Sequence, residues 1–476
     1  MKYFYPIFLL CICTFFSCQT ATTTGTIIQN VNVLDVVNGL RKNQTVVLQN
    51  ERIYSITDGS KINPAATATV IDGTNKFLMP GLWDAHVHMV YDEAISPVMN
   101  DLFLAYGITS VRDTGGQLHL LKKWREEAKK NPNTTPRLMV AGPLLDGDPV
   151  VYDGSPGRPP LGMDASSAER AKRTVDSLAA AKVDLIKSYE MLTPEAFKSV
   201  IETAASHNLV VTGHVPLSMD VISAAKMGLR SMEHLRNLEM SCAENWEALL
   251  TDRRNLLEID SLQGGVLRSR IHAAQRSAAL KNQSPEQTQK VLAALAENDV
   301  WQCPTLTINA FSVHRLWADE TYRTSYSYLP DSTEQQWTKR SLELSEMPAD
   351  SARGEFGRWS IDLVDELEKN KIGILAGTDT PIAFLTPGLS LHHELELLVQ
   401  GGLTPKQALT AATLRPAQYF NLEKEIGVVE AGKLADLLLL NANPLENISN
   451  TQQIETVFRN GKMINPQAIL ERLKAK

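Results

Sequence analysis

A chain of 476 residues with 43% hydrophobic and 21% charged positions has the composition of a soluble globular protein with a large core. Its net charge of −7 lacks the basic excess of a nucleic-acid-binding protein, so no nucleic-acid partner is expected. Of its five cysteines, three fall within the first 18 residues, and the two that remain do not make a disulfide framework.

Lys2 precedes an apolar, aromatic-rich run from Phe4 to Phe16 that meets Ser17-Cys18. The run is shorter than the ~20 apolar residues of a spanning helix, so residues 1–18 read as an export signal. The segment resembles a bacterial lipoprotein signal, in which a small residue precedes the cysteine that is lipidated, although Phe15-Phe16 departs from the usual leucine and small residue upstream. Cys18 is then the lipidation site and residues 19–25 a polar tether, with ordinary cleavage as the alternative. The resemblance implies a protein lipid-anchored in the bacterial cell envelope and facing the periplasm. Beyond Cys11, Cys13 and Cys18, only Cys242 and Cys303 remain, and both are expected to be incidental.

Residues 26–77 alternate short β-type runs (Ile27-Ile28, Val31 to Val36, Val46 to Leu48, Ile53 to Ile56) with Asn, Gly and charged turns. Residues 423–465 answer them with strand-like Gly427-Val428-Val429, Ala435 to Leu440 and Ile454 to Phe458, before a helix or tail at 466–476. The expectation is a small β-sandwich domain built from both terminal segments.

Between them, residues 78–422 alternate strand and helix. The run ending at His88 is followed by seven more near 107–113, 136–142, 183–188, 208–214, 229–234, 299–307 and 372–379, the count of a (β/α)8 TIM barrel. Thr193-Pro194 and Thr404-Pro405 each place a capping threonine before proline at a helix start, and Gly228 and Gly401-Gly402 sit where helices should stop. The long connections 235–298 and 308–371 read as helical insertions able to form a lid.

In such a barrel, catalytic groups lie at the C-terminal ends of the strands. His86 and His88 close the first run and, two apart on a strand, face the same way. Lys187, His214, His234 and Asp379 close four others. Six ligand-type residues at one end of five strands point to a metal site, imidazole being the commonest metal ligand. By contrast, His207, His272 and His314 fall away from strand ends and read as surface histidines, and His119 as a helix-start residue.

These stretches, Pro80 to His88, Val111 to Gly116, Gly213 to Pro216, Ser231 to His234, Ala376 to Asp379 and Gly432 to Asp436, resemble the amidohydrolase superfamily, in its imidazolonepropionase-like and prolidase-like branch. The resemblance implies that His86, His88 and Asp379 hold a buried metal and that His214 and His234 hold a more exposed one. It also implies a Lys187 carboxylated by carbon dioxide and bridging both. Two zinc ions, or one, are the implied cofactor, and Asp379 the catalytic base and then acid. A departure is Ser188-Tyr189-Glu190 after the lysine, where the branch often has small residues.

The expected substrate is a small molecule or short peptide with an amide bond, a dipeptide or cyclic amide; the alternatives are ester, lactone or phosphotriester hydrolysis on the same site, or a non-catalytic lipid-anchored binding protein. Tyr189 points into the mouth by strand periodicity, or else packs in a loop. Arg112 reads as a substrate-carboxylate contact or, preferably, as an ion pair with Asp113. His392 and His393 are candidate rim residues. A membrane contact through the anchor and a homo-oligomer complete the expected partners.

Overall fold

The computed structural model describes residues 1, 23–59, 62–258, 262–348 and 351–475; the expected signal, including Cys18, lies outside the described residues. Thr26–Asp35 and Gly39–Gln49 form an antiparallel hairpin whose turn is held by Asp35 Oδ1, which accepts from the amides of Val37 and Asn38 at 2.9 and 2.6 Å. Asp at this position satisfies turn amides that the ladder leaves open. Arg52–Asp58 continues the sheet on one side, and Phe77–Pro80, Leu437–Leu440, Ile454–Arg459 and Lys462–Ile464 continue it on the other. Thr69–Asp72 pairs parallel with the first strand. The two ends of the chain therefore share one eight-stranded sheet.

Alternation explains what this sheet joins. Leu437 and Leu439 enter a cluster with Val33, Val46, Ile53 and Phe458, whereas Leu438 and Leu440 pack into the main core. A run of four leucines is thus buried on both faces. The strands of the expected sandwich form one continuous sheet: the amide of Ile53 donates to Lys433 O, and that of Ala435 to Glu51 O, curling the edge back around the cluster. Gly427-Val428-Val429, expected as a strand, forms none; Gly427 has φ +96°, which breaks extended backbone there. The C-terminal helix runs over Pro466–Lys474.

The middle is mixed α/β with parallel strands. Leu82–Val87, Ile108–Asp113 and Arg137–Val140 form one sheet; Gly162–Asp164, Leu144–Asp146, Ile186–Ser188, Val211–Gly213, Ser231–Glu233 and Trp301–Cys303 form another, in that order. The run 372–379 makes a bridge rather than a strand, Ile374 pairing with Gln302, and Thr380 just beyond it pairs with Val87. The Thr193 and Thr404 hydroxyls cap their helices as expected, the latter in a capping box with Gln407, and Gly228 ends its helix with φ +109°.

Both insertions are helical. Gly264–Lys281 of the first meets Ser351–Lys369 of the second, with the Arg276 guanidinium 4.1 Å from the Phe356 ring centroid and Trp359 Nε1 donating to Gln283 Oε1 at 3.1 Å. They stand over the strand ends that carry the histidines.

Candidate metal centre

His86 sits on Leu82–Val87, buried along its whole length, and His88 follows one residue beyond it. The ring of His86 lies 5.3 Å from that of His88 and 4.5 Å from that of His234, which is 4.9 Å from His214. Asp379 Oδ1 stands 3.0 Å from His86 Nε2 and 3.1 Å from His88 Nε2. Ligand atoms of His86, His234 and Asp379 all fall within 4.8 Å of one another. Lys187 lines the same cavity of about 110 Å³, so the structure brings all six strand-end residues together.

Each imidazole is held by its other nitrogen. His86 Nδ1 bonds Glu233 Oε2 at 2.6 Å, His88 Nδ1 bonds Gly115 O at 2.7 Å, His214 Nδ1 bonds Glu190 Oε1 at 2.5 Å and His234 Nδ1 bonds Thr305 Oγ1 at 2.6 Å. The Thr305 hydroxyl donates to Pro304 O, leaving its lone pairs for His234. With Nδ1–H donating to an acceptor, the Nε2 lone pair of every ring is left for an ion, the arrangement that metal-ligating histidines show. His86 Nε2, Asp379 Oδ1 and Lys187 Nζ are buried without a hydrogen-bond partner among the described residues, as atoms reserved for another ligand would be.

The electrostatics follow from burial and from one buried arginine. Burial would raise the Glu233 carboxyl, but Arg112, then Lys187 and His86, hold it well below the usual carboxylate range. Burial likewise opposes Asp379, which His234 and His86 keep well below its ordinary value. Burial pushes His214 and His234 well down, favouring the neutral rings that ligation requires. Burial also lowers the Lys187 amine to about 8, against the opposing pull of Glu233.

Local backbone is bent to the task. His234 and Asp379 adopt φ of +61° and +71°, a left-handed conformation costing ~1–3 kcal/mol per residue and kept where surrounding structure over-determines it. Gly377 must be glycine, since a Cβ there would sit 2.7 Å from the His86 Cβ and 2.8 Å from its backbone nitrogen.

Several sequence readings need correction. Arg112 is fully buried and does not line the cavity: Nη2 donates to both Glu233 oxygens at 2.9 and 3.0 Å, and Nε to Ala85 O. Its partner is Glu233 rather than Asp113, whose Oδ2 accepts from the Met89 amide. His392 is buried away from the mouth between Thr451 Oγ1 and Tyr106 O, and His393 pairs with Glu396 at 3.0 Å, so neither is a rim residue. His272 is no surface residue: it is buried, with Nε2 2.7 Å from Glu190 Oε2. His207 and His314 are exposed, as expected. Tyr189 lines the cavity, its ring 4.4 Å from that of His214.

Glu190 and Glu233 are the residues the sequence reading missed. Glu190 accepts from His214, His272 and Arg268, joining His214 to the helix Gly264–Lys281. Glu190→Ala, which releases the His214 ring, is expected to weaken divalent-metal binding by ~10–100-fold, measured by metal titration.

Residues 77–464 match the model of the amidohydrolase family. Ochratoxinase of Aspergillus niger is 23% identical over 447 residues, covering 82% of this chain and 76% of that one. The 5'-deoxyadenosine deaminase of Methanosphaera stadtmanae is 22% identical over 481 residues, covering 93% of each. The crystal structure of a Xaa-Pro dipeptidase with bound methionine in the active site superposes with a TM-score of 0.66 at 17% identity, covering 92% of this chain and 99% of that one.

Proposed function

Because the chain belongs to the amidohydrolase family, as a hydrolase acting on carbon–nitrogen bonds, we propose that it cleaves a small amide, a dipeptide or cyclic amide, with divalent metal. One observation carries this reading: four imidazoles anchored at Nδ1 converge with Asp379 on one buried cavity. The donor set fits two ions, with His86, His88 and Asp379 at one and His214 and His234 at the other, and zinc suits such imidazole and carboxylate ligands. A Lys187 ammonium, buried and unpartnered beside cations, would be repelled; a carboxylated Lys187 would reach both.

Such ions, when bound, supply Lewis acidity that polarises a carbonyl and lowers the pKa of a water from ~15.7 to ~7. The chain's own residues do the rest. Asp379 accepts the proton of the attacking water at its carboxylate and passes it to the leaving nitrogen, acting as base and then acid. Glu233, Glu190, Gly115 and Thr305 keep the four rings in the ligating tautomer. Tyr189, beside His214, stands ready to donate to a substrate oxygen.

The proposal extends to the fold and the setting. A closed (β/α)8 barrel is supported by the bonds that join the two parallel sheets: Asp184 N to Val140 O on one side, and Gln302 N to Gly373 O with Ala85 N to Ala376 O on the other. Export with an acylated Cys18 rests on the N-terminal sequence alone. A panel of dipeptides, cyclic amides and matched esters tests the activity. Amide turnover should vanish on chelation and return with zinc. A metal-loaded protein that turns over esters and no amide contradicts the reading.

A further inference from the structure

Tyr91, Tyr152 and Tyr189 form an unbroken chain of ring contacts from His88 to His214 along one wall of the metal cavity. Centroid distances along it are 6.3 Å from His88 to Tyr91, 6.4 Å to Tyr152, 5.9 Å to Tyr189 and 4.4 Å to His214. Tyr152 stands edge-on to both of its neighbours, with interplanar angles of 75° and 68°, a geometry that holds the three rings in place. They have nowhere to withdraw. Behind them Leu144, Leu161, Leu267 and Ile271 fill one apolar cluster with the tyrosines, and close-packed side chains yield little.

Space around the histidines is therefore unequal. The cavity walled by the tyrosines is about 110 Å³, and it meets a neighbouring chamber of about 510 Å³ at Arg236, Arg268 and Ile308, which line both. An apolar cavity of ~150 Å³ holds one benzene ring, so the space at the histidines is too small for a phenyl group, whereas the chamber accepts one easily. A trans amide sends the groups on its two sides in opposite directions. With its carbonyl among the imidazoles and Asp379, one group enters the chamber and the other meets the tyrosines. We propose that Tyr91 and Tyr152 are specificity-determining residues that set a size limit on one side of the scissile bond. The preferred substrates are then amides with a glycine- or alanine-sized group on that side and a bulky group on the other. The inference rests on the amide-hydrolase reading for the bond cleaved, but the size limit is also read in binding alone.

The test uses Gly-Phe, Phe-Gly and Phe-Phe, with turnover by the zinc-loaded wild type and calorimetric binding to the zinc-loaded Asp379→Asn variant. One of the two mixed dipeptides should exceed both its reverse and Phe-Phe by at least tenfold in kcat/KM and in affinity. Tyr152→Ala, which deletes the middle ring, should improve Phe-Phe at least tenfold relative to the preferred dipeptide. Tyr91→Ala should shift the ratio the same way, and stands in if Tyr152→Ala does not fold. Tyr152→Phe, which keeps the ring, should leave the ratio within threefold of wild type. Wild-type ratios below threefold, binding of none of the three peptides, or a ratio indifferent to both alanine variants would overturn the proposal. So would a Tyr152→Phe variant as permissive as Tyr152→Ala. Discrimination in binding without turnover of any peptide would sustain the size limit and sink the amide-hydrolase reading, and equal turnover of all three would do the reverse.

Discussion

Asp379→Asn is expected to lower kcat/KM on a good amide substrate by ~10³-fold, about 4 kcal/mol of transition-state stabilisation, with metal content unchanged. Asn keeps an oxygen aimed at His86 and His88, where Asp379 Oδ1 now stands 3.0 and 3.1 Å from their Nε2 atoms. What it loses is the ability to take and return a proton. The φ of +71° at this position also suits Asn, so the backbone should survive the exchange. Steady-state kinetics with elemental analysis of the same sample checks both halves. Undiminished turnover at normal metal content would remove Asp379 from proton transfer.

Glu233→Ala should do the greatest harm to the fold and the site together. Glu233 is fully buried, neutralises the buried Arg112, accepts from Thr212 and holds His86 Nδ1. Removing one partner of a buried ion pair leaves an uncompensated charge, at a cost of ~3–5 kcal/mol. Losing the acceptor behind His86 should weaken metal binding by a further ~10–100-fold. The double variant Arg112→Met/Glu233→Leu separates the two effects: thermal unfolding should recover most of the lost stability, while metal affinity stays low. A double variant that binds metal normally would show that Glu233 acts on His86 only through the fold.

What could be read along the chain was local. Two histidines two residues apart on a strand must share a face, a threonine before proline announces a helix start, and a ligand-type residue closing an apolar run marks a barrel mouth. The partners of those residues were not local. Glu233 lies 147 residues from His86, and Glu190 lies 82 from His272, so no periodicity connects them. His272 read as a surface residue because it falls away from the strand ends, yet tertiary packing turns it onto Glu190. One sign was present for Arg112: an arginine inside an apolar strand demands a buried counter-charge, though the neighbouring Asp113 was the wrong choice. The terminal sheet was legible as strands but not in its closure, which depends on Ile53 and Ala435 meeting segments hundreds of residues away.

Metal content bears most directly on the central claim. Purified protein lacking residues 1–18, loaded with zinc in bicarbonate buffer, should hold about two ions per chain by mass spectrometry, and Lys187→Ala should hold one or none. Wild-type protein with one ion, unchanged in Lys187→Ala, would take Lys187 out of the site and contradict a lysine-bridged pair.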